Sequence, residues 1–347
     1  MKKILLFVIA LISITPVFAG VLTVSNNTAL PGSPGQYTTV QAAVNASFAG
    51  DTILVHGSSI AYNEGVTVNK KLIIRGPGFY PQSSNASIAN GFTITISNNS
   101  SNTIIEGFYN MYVYCTNTNP VTNLIIRRNF ISPYGIGLNV NINGSIIENN
   151  VFYSGGVDLQ NAQNVQIRNN IFQTTITSSN SATIQIKNNL FVCAGDAFSG
   201  ITNAVISNNI FYQKNPMDAA GTNVSTSTFN NNLTYNNAGS QGIIPSGSNI
   251  GSGNIVNTDP LFMGVYSCGV SYNINWRLNL ISPAKNAGTD GTDIGPTGGV
   301  SPIYLYPAPY PITGEPAMPQ VQSLTMPVSS VAPGGNLNVT VKARKRN

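Results

Sequence analysis

One short pattern recurs five times in the middle of the chain: "LIIRRNFI" (124–131), "IIENNVF" (146–152), "QIRNNIF" (166–172), "QIKNNLF" (185–191) and "VISNNIF" (205–211). Aligned on the residue two before the asparagine that all five share, the copies place Arg127, Glu148, Arg168, Lys187 and Ser207 at separations of 21, 20, 19 and 20 residues. A unit of about 20 residues cannot bury an apolar face alone, so it must stack on its neighbours as the coil of a solenoid. Apolar residues alternate within the copies, as in Val165-x-Ile167 and Ile184-x-Ile186, which is the period of a strand rather than a helix. Two apolar columns result: Ile126, Ile147, Ile167, Ile186 and Ile206, and then Ile131, Phe152, Phe172, Phe191 and Phe211. An axis of stacked hydrocarbon is therefore expected, with about a dozen coils over the whole chain.

The asparagine pairs Asn149/Asn150, Asn169/Asn170, Asn188/Asn189 and Asn208/Asn209 come after each strand, where the chain must bend. Asparagine tolerates the left-handed backbone of a tight bend, and stacked amides can hydrogen-bond along a column. The pairs are read as a structural turn ladder. The column Glu106, Arg127, Glu148, Arg168, Lys187 mostly alternates in sign. At the strand spacing of about 4.8 Å each carboxylate falls between two cations, so this column is read as structural rather than catalytic. As exposed pairs, such contacts contribute about 0 to 1 kcal/mol each.

Only 8% of residues are charged, so the surface must be polar but uncharged, which suits sheet and turns. The formal charge of +5 comes largely from Lys2, Lys3 and the terminal "KARKRN", leaving a nearly neutral body. Nucleic-acid binding is not expected, because a basic face spread over the fold is missing. Residues 1–19 have two lysines, an apolar run, and Val17 and Ala19 before a cleavage point, the pattern of a signal peptide. Export to the medium or the cell surface is expected, with no later segment long and apolar enough to span a bilayer. Cys115, Cys193 and Cys268 are too few and scattered for a disulfide framework, and a lone His56 argues against zinc.

Four segments are expected: the signal peptide (1–19), an N-terminal lead (20–36), the solenoid (37–300) and a Pro-rich extended tail (301–347). Val40, Ala43 and Val44 sit at helical spacing, enough for a short helix capping the open N-terminal end, after which "DTILV" opens the coil. In the tail, Leu337, Val339 and Val341 alternate as in a short strand or an attachment element.

The stretch "YTTVQAAVNASFAGDTILVHGSSIAYNEGVTVNKKLIIRGPG" (37–78) resembles the opening of pectate-lyase-like proteins. "DPLF" (259–262) and "WRLNLISPAKNAGTDGTDIGPTGG" (276–299) are similar to the C-terminal closure of many secreted bacterial β-helix repeat proteins. The resemblance implies an all-β fold, a right-handed parallel β-helix with a short N-terminal capping helix. It does not specify an activity, because that superfamily includes lyases, hydrolases, esterases and proteins without known catalysis.

The residues speak against several of those chemistries. A glycoside hydrolase needs paired carboxylates, yet none of the 11 acidic residues adjoins another. A lyase resembling pectate lyases would need carboxylates converging on calcium and an Arg or Lys base. Glu106, Glu148 and Asp158 are the acids of the central coils, and two belong to the charge column. No resident metal or other cofactor is expected, with calcium reserved for the lyase alternative. Asp290 and Asp293 are read as structural rather than metal-binding, in a run of turns where Asp293 accepts backbone N–H groups.

Binding without catalysis fits better. Burial of Met111, Val113 and Cys115 turns Tyr112 and Tyr114 outward, and the same alternation exposes Asn139, Asn141, Asp158 and Gln160. Aromatic rings beside amides suit a sugar, whose C–H faces stack and whose hydroxyls hydrogen-bond. These six residues are the candidate carbohydrate site. The expected role is a non-catalytic carbohydrate-binding or cell-surface module; the alternatives are a polysaccharide lyase acting on an acidic glycan and a purely structural or adhesive surface protein.

Overall fold

The computed structural model describes residues 19–27, 37–78, 90–139, 141–179, 183–264, 268, 275–300 and 302, together with strands 319–325 and 340–345. The expected signal peptide lies almost entirely outside the described residues. The molecule is an all-β parallel solenoid. Its first sheet stacks ten strands in chain order, from Val21–Val24 and Thr52–Val55 through Ile125–Arg127, Ile146–Glu148, Gln166–Arg168, Gln185–Lys187 and Val205–Ser207 to Thr228–Asn230. Ten is fewer than the dozen coils expected, because the chain after Thr228–Asn230 continues as isolated bridges and turns. The stack also opens one strand earlier than "DTILV", since Val21–Val24 pairs in parallel with Thr52–Val55.

The register places Ile126, Ile147, Ile167, Ile186 and Ile206 directly on one another. Met111, Ile131, Phe152, Phe172, Phe191 and Phe211 form the second column. The rings of Phe152, Phe172, Phe191 and Phe211 lie nearly parallel, with centroids 4.3, 5.1 and 4.9 Å apart. All four are fully buried. Similar apolar side chains repeated at one strand spacing pack along the axis, and that burial is the main source of stability.

The asparagine pairs divide into two roles. The first member of each pair, Asn149, Asn169, Asn188 and Asn208, has φ between 54 and 58°, the left-handed bend expected of it. The second member points inward. Asn150, Asn170, Asn189 and Asn209 are completely buried, and each takes its backbone N–H and side-chain amide to the Oδ1 of the next. Asn129 begins this ladder, and Asn232 and Asn254 extend it. Outer asparagines hold a different partner: Asn169 donates to the carbonyls of Pro296 and Gly298, Asn188 to Asp293 and Gly295, and Asn208 to Thr289. They clamp residues 289–298 along the wall of the solenoid. Asp293 in that strap accepts from the Asn286 N–H and pairs with Lys285, while Asp290 accepts from the Thr292 N–H.

The charge column begins one coil earlier than the sequence reading placed it. Arg75, Glu106, Arg127, Glu148 and Arg168 alternate in adjoining strands, with Arg127 Nε 2.7 Å from Glu106 and Arg168 Nε 2.9 Å from Glu148. Lys187 stands in register with Arg168, so the alternation ends there. These are not exposed pairs, because the Glu106 side chain is 0% accessible while Arg75 and Arg127 are 23% and 27% accessible. Glu106→Ala is therefore expected to cost about 2 kcal/mol, less than the 3 to 5 of a fully buried pair because both arginines can rehydrate. Thermal denaturation checks this; a melting temperature equal to that of the unmodified protein would mean the column is ornamental.

The N-terminal end is covered as expected by a helix, Val40–Ala46, which buries Val40, Ala43 and Val44. Glu64 accepts the N–H groups of Val40 and Gln41, and Thr39 that of Ala42. Lys70 donates to the carbonyls of Val44 and Ser47 at the other end. A seven-residue helix is too short to persist alone, and these contacts satisfy the groups its ends leave unpaired.

One disulfide, Cys193–Cys268, ties residue 268 to the coil carrying Leu190–Val192, and Cys115 remains a free thiol. The pairing joins residues 75 apart, a proximity created by stacking and invisible in cysteine spacing. In the tail, Pro319–Thr325 and Thr340–Lys345 pair antiparallel. Of the alternating tail residues, Val341 lies in that hairpin, and Leu337 and Val339 lie outside the described residues.

Candidate functional site

The second sheet contains twelve strands and branches at Phe130–Gly137. The start of that strand pairs with Val151–Phe152 and its end with Val157–Asp158. Between the two halves, the register against Tyr109–Cys115 slips from Ile131↔Met111 to Ile136↔Val113. The extra residues, Ser132 to Gly135, form a bulge that carries Tyr134 to the surface, where it is 66% exposed. Bulges of this kind commonly redirect a side chain.

A groove of about 770 Å³ lies over this branch. Its aromatic wall is Tyr112, Tyr114 and Tyr134: the rings of Tyr112 and Tyr114 stack at 5.3 Å, and Tyr134 tilts against Tyr112 at 5.5 Å. The opposite wall is polar, with Asp158, Gln160, Gln173, Thr174, Thr175 and Thr177. Register explains why the two walls meet. Tyr114, Gly137, Asp158 and Thr177 occupy one outward column in four successive strands. Gly137 leaves a gap in that column, and the groove passes through it. Three steps at about 4.8 Å make it roughly 15 Å long, enough for a short oligosaccharide.

Asp158 is exposed, and its Oδ1 accepts from the Gln160 N–H at 3.1 Å and the Thr177 hydroxyl at 3.2 Å. Lys214 closes the far side but is only 3% exposed, donating to the Gln173 carbonyl at 2.9 Å and the Ala194 carbonyl at 3.4 Å. Burial lowers the pKa of its ammonium from the ordinary lysine value. Cys115 also lines the groove, and burial pushes its thiol up to about 12, so it is a neutral, unreactive wall.

Four of the six sequence-derived candidates, Tyr112, Tyr114, Asp158 and Gln160, come together in this groove. Asn139 and Asn141 do not line it. Asn139 donates to the Cys115 and Asn117 carbonyls and Asn141 to that of Asn117, so their amides hold neighbouring turns together. Sequence reasoning missed Tyr134, Thr177 and Lys214. Two signals were present: a proline inside an apparent strand at "ISPYGIG" marks a bulge, and stepping one repeat from Asp158 reaches Thr177. Lys214 had no comparable signal. Among the described residues, no three His, Cys, Asp or Glu side chains cluster so as to hold a metal ion.

Stacked parallel coils, a buried asparagine ladder and a capped N-terminal end define a parallel β-helix. Among solved structures, the chain is similar to that of pectate lyase Pel9A, with a TM-score of 0.50 and 14% identity over 80% of this chain and 95% of that one. At that identity the likeness is one of fold. No protein-family model matches the sequence, and no curated protein matches it.

Proposed function

We propose that the chain is an exported, non-catalytic glycan-binding protein whose site is the groove between the tyrosine wall and Asp158, Gln160 and the threonines. The observation that carries this reading is the facing of stacked phenol rings by amides, hydroxyls and a carboxylate across an open groove. Rings cover the C–H faces of a sugar while the polar wall meets its hydroxyls. The fold, shared with a structure described as a pectate lyase, adds support for a polysaccharide partner. Export is supported by the Cys193–Cys268 disulfide, a bond that persists in oxidising compartments. No helix among the described residues is long and apolar enough to cross a membrane.

The test is a glycan array probed with residues 20–347, then titration of the best ligand. Tyr112→Ala combined with Tyr134→Ala is expected to weaken binding at least about tenfold, or 1.4 kcal/mol, with an unchanged far-ultraviolet spectrum. Binding that survives the double substitution places the site elsewhere. Unsaturated products from pectate, alginate or chondroitin incubated with calcium would replace the binding reading with a lyase.

A further inference from the structure

The charges that line the groove bear on which glycan it accepts. We infer that the groove selects a glycan of uncharged sugars and disfavours polyuronates, an inference that rests on the glycan-binding function proposed for it. Among the described lining residues two are charged, Asp158 and Lys214, and they present themselves very differently. Asp158 is exposed, and only its Oδ1 has partners among the described residues. Its Oδ2 is open to sugar hydroxyls. Lys214 is 3% exposed and donates two of its three N–H groups to backbone carbonyls. A ligand lying in the groove therefore meets an open carboxylate and no comparably open cation.

A uronate approaching Asp158 to about 4 Å meets a repulsion between about 1 kcal/mol, in water, and about 4 kcal/mol, in the partly desolvated groove. That is a penalty of about fivefold, in water, to several hundredfold in affinity. A neutral sugar escapes it and can hydrogen-bond to Asp158 and Gln160 while stacking on Tyr112 and Tyr134. Holding a polyuronate would require a basic or metal-lined channel, the opposite of this arrangement.

Isothermal titration tests this on residues 20–347 with oligomers of glucose, mannose, galactose and xylose, with oligogalacturonate and oligomannuronate, and with oligomers of glucosamine. The expected result is that at least one neutral oligomer binds about tenfold more tightly than either uronate. Asp158→Lys should then raise uronate affinity about tenfold, with a salt dependence absent from neutral binding. Tighter binding of a uronate than of every neutral oligomer overturns the inference while leaving the glycan-binding reading intact. Tighter binding of the glucosamine oligomer overturns it in favour of a cationic ligand. Absence of binding by all three classes removes the glycan-binding reading itself, and this inference with it.

Discussion

Asn189→Ala is expected to destabilise the protein by about 3 kcal/mol, from stranding one buried N–H at about 1 to 3 kcal/mol and removing further buried hydrogen bonds at about 0.5 to 1.5 kcal/mol each. Asn189 is fully buried, and its amide donates to the carbonyls of Ile167 and Lys187 and to Asn209 Oδ1, all at 2.9 to 3.0 Å. Its own Oδ1 accepts the backbone N–H and side-chain amide of Asn170. Truncation leaves the Asn170 N–H without its partner and takes one of the hydrogen bonds accepted by the Ile167 and Lys187 carbonyls, in a site closed to water. For a chain of this size the loss should appear as a fall in melting temperature of about 4 to 6 °C. Asn188→Gly is the control, because it keeps the left-handed bend and removes only the clamp on Asp293 and Gly295. A ladder variant that melts within a degree of the unmodified protein would show that the amide column does not hold the coils together.

Gly137→Ile should abolish ligand binding and leave the fold intact. A Cβ built at Gly137 has Tyr114 Cβ as its nearest neighbour at 3.8 Å, an ordinary contact, so the backbone accepts a side chain there. Strands favour β-branched residues over glycine, and stability should hold or rise slightly. The new side chain projects into the gap between Tyr114 and Asp158, where the ligand would have to lie. Titration with the best array ligand is expected to show at least about a hundredfold loss, or about 2.7 kcal/mol. Full affinity in a folded Gly137→Ile protein excludes this groove as the site. Gly155 is the contrasting position: a Cβ there would fall 1.3 Å from the Tyr134 carbonyl, so substitution must displace the bulge.

Much of the architecture could be read from local pattern. The isoleucine and phenylalanine columns, the bends at Asn149, Asn169, Asn188 and Asn208, and the capping helix at Val40 all stem from one repeat period and from backbone preferences. The candidate site was legible only in part. Alternation turned Tyr112 and Asp158 outward correctly, but the same rule applied to Asn139 and Asn141 selected residues whose amides serve neighbouring turns. Outwardness is a property of one strand, whereas availability to a ligand depends on which carbonyls the adjoining coil presents.

What the sequence determined by itself was the stacking: side chains of matching size every 20 or so residues admit one economical packing, coil upon coil, with amides at the bends. Tertiary structure alone decided where that stack opens. The groove exists because a bulge lifts Tyr134, the sheet branches beyond it, and Gly137 lacks a side chain in an otherwise filled column. Each of those depends on register between strands about 20 residues apart, and register becomes defined only when the coils are in contact.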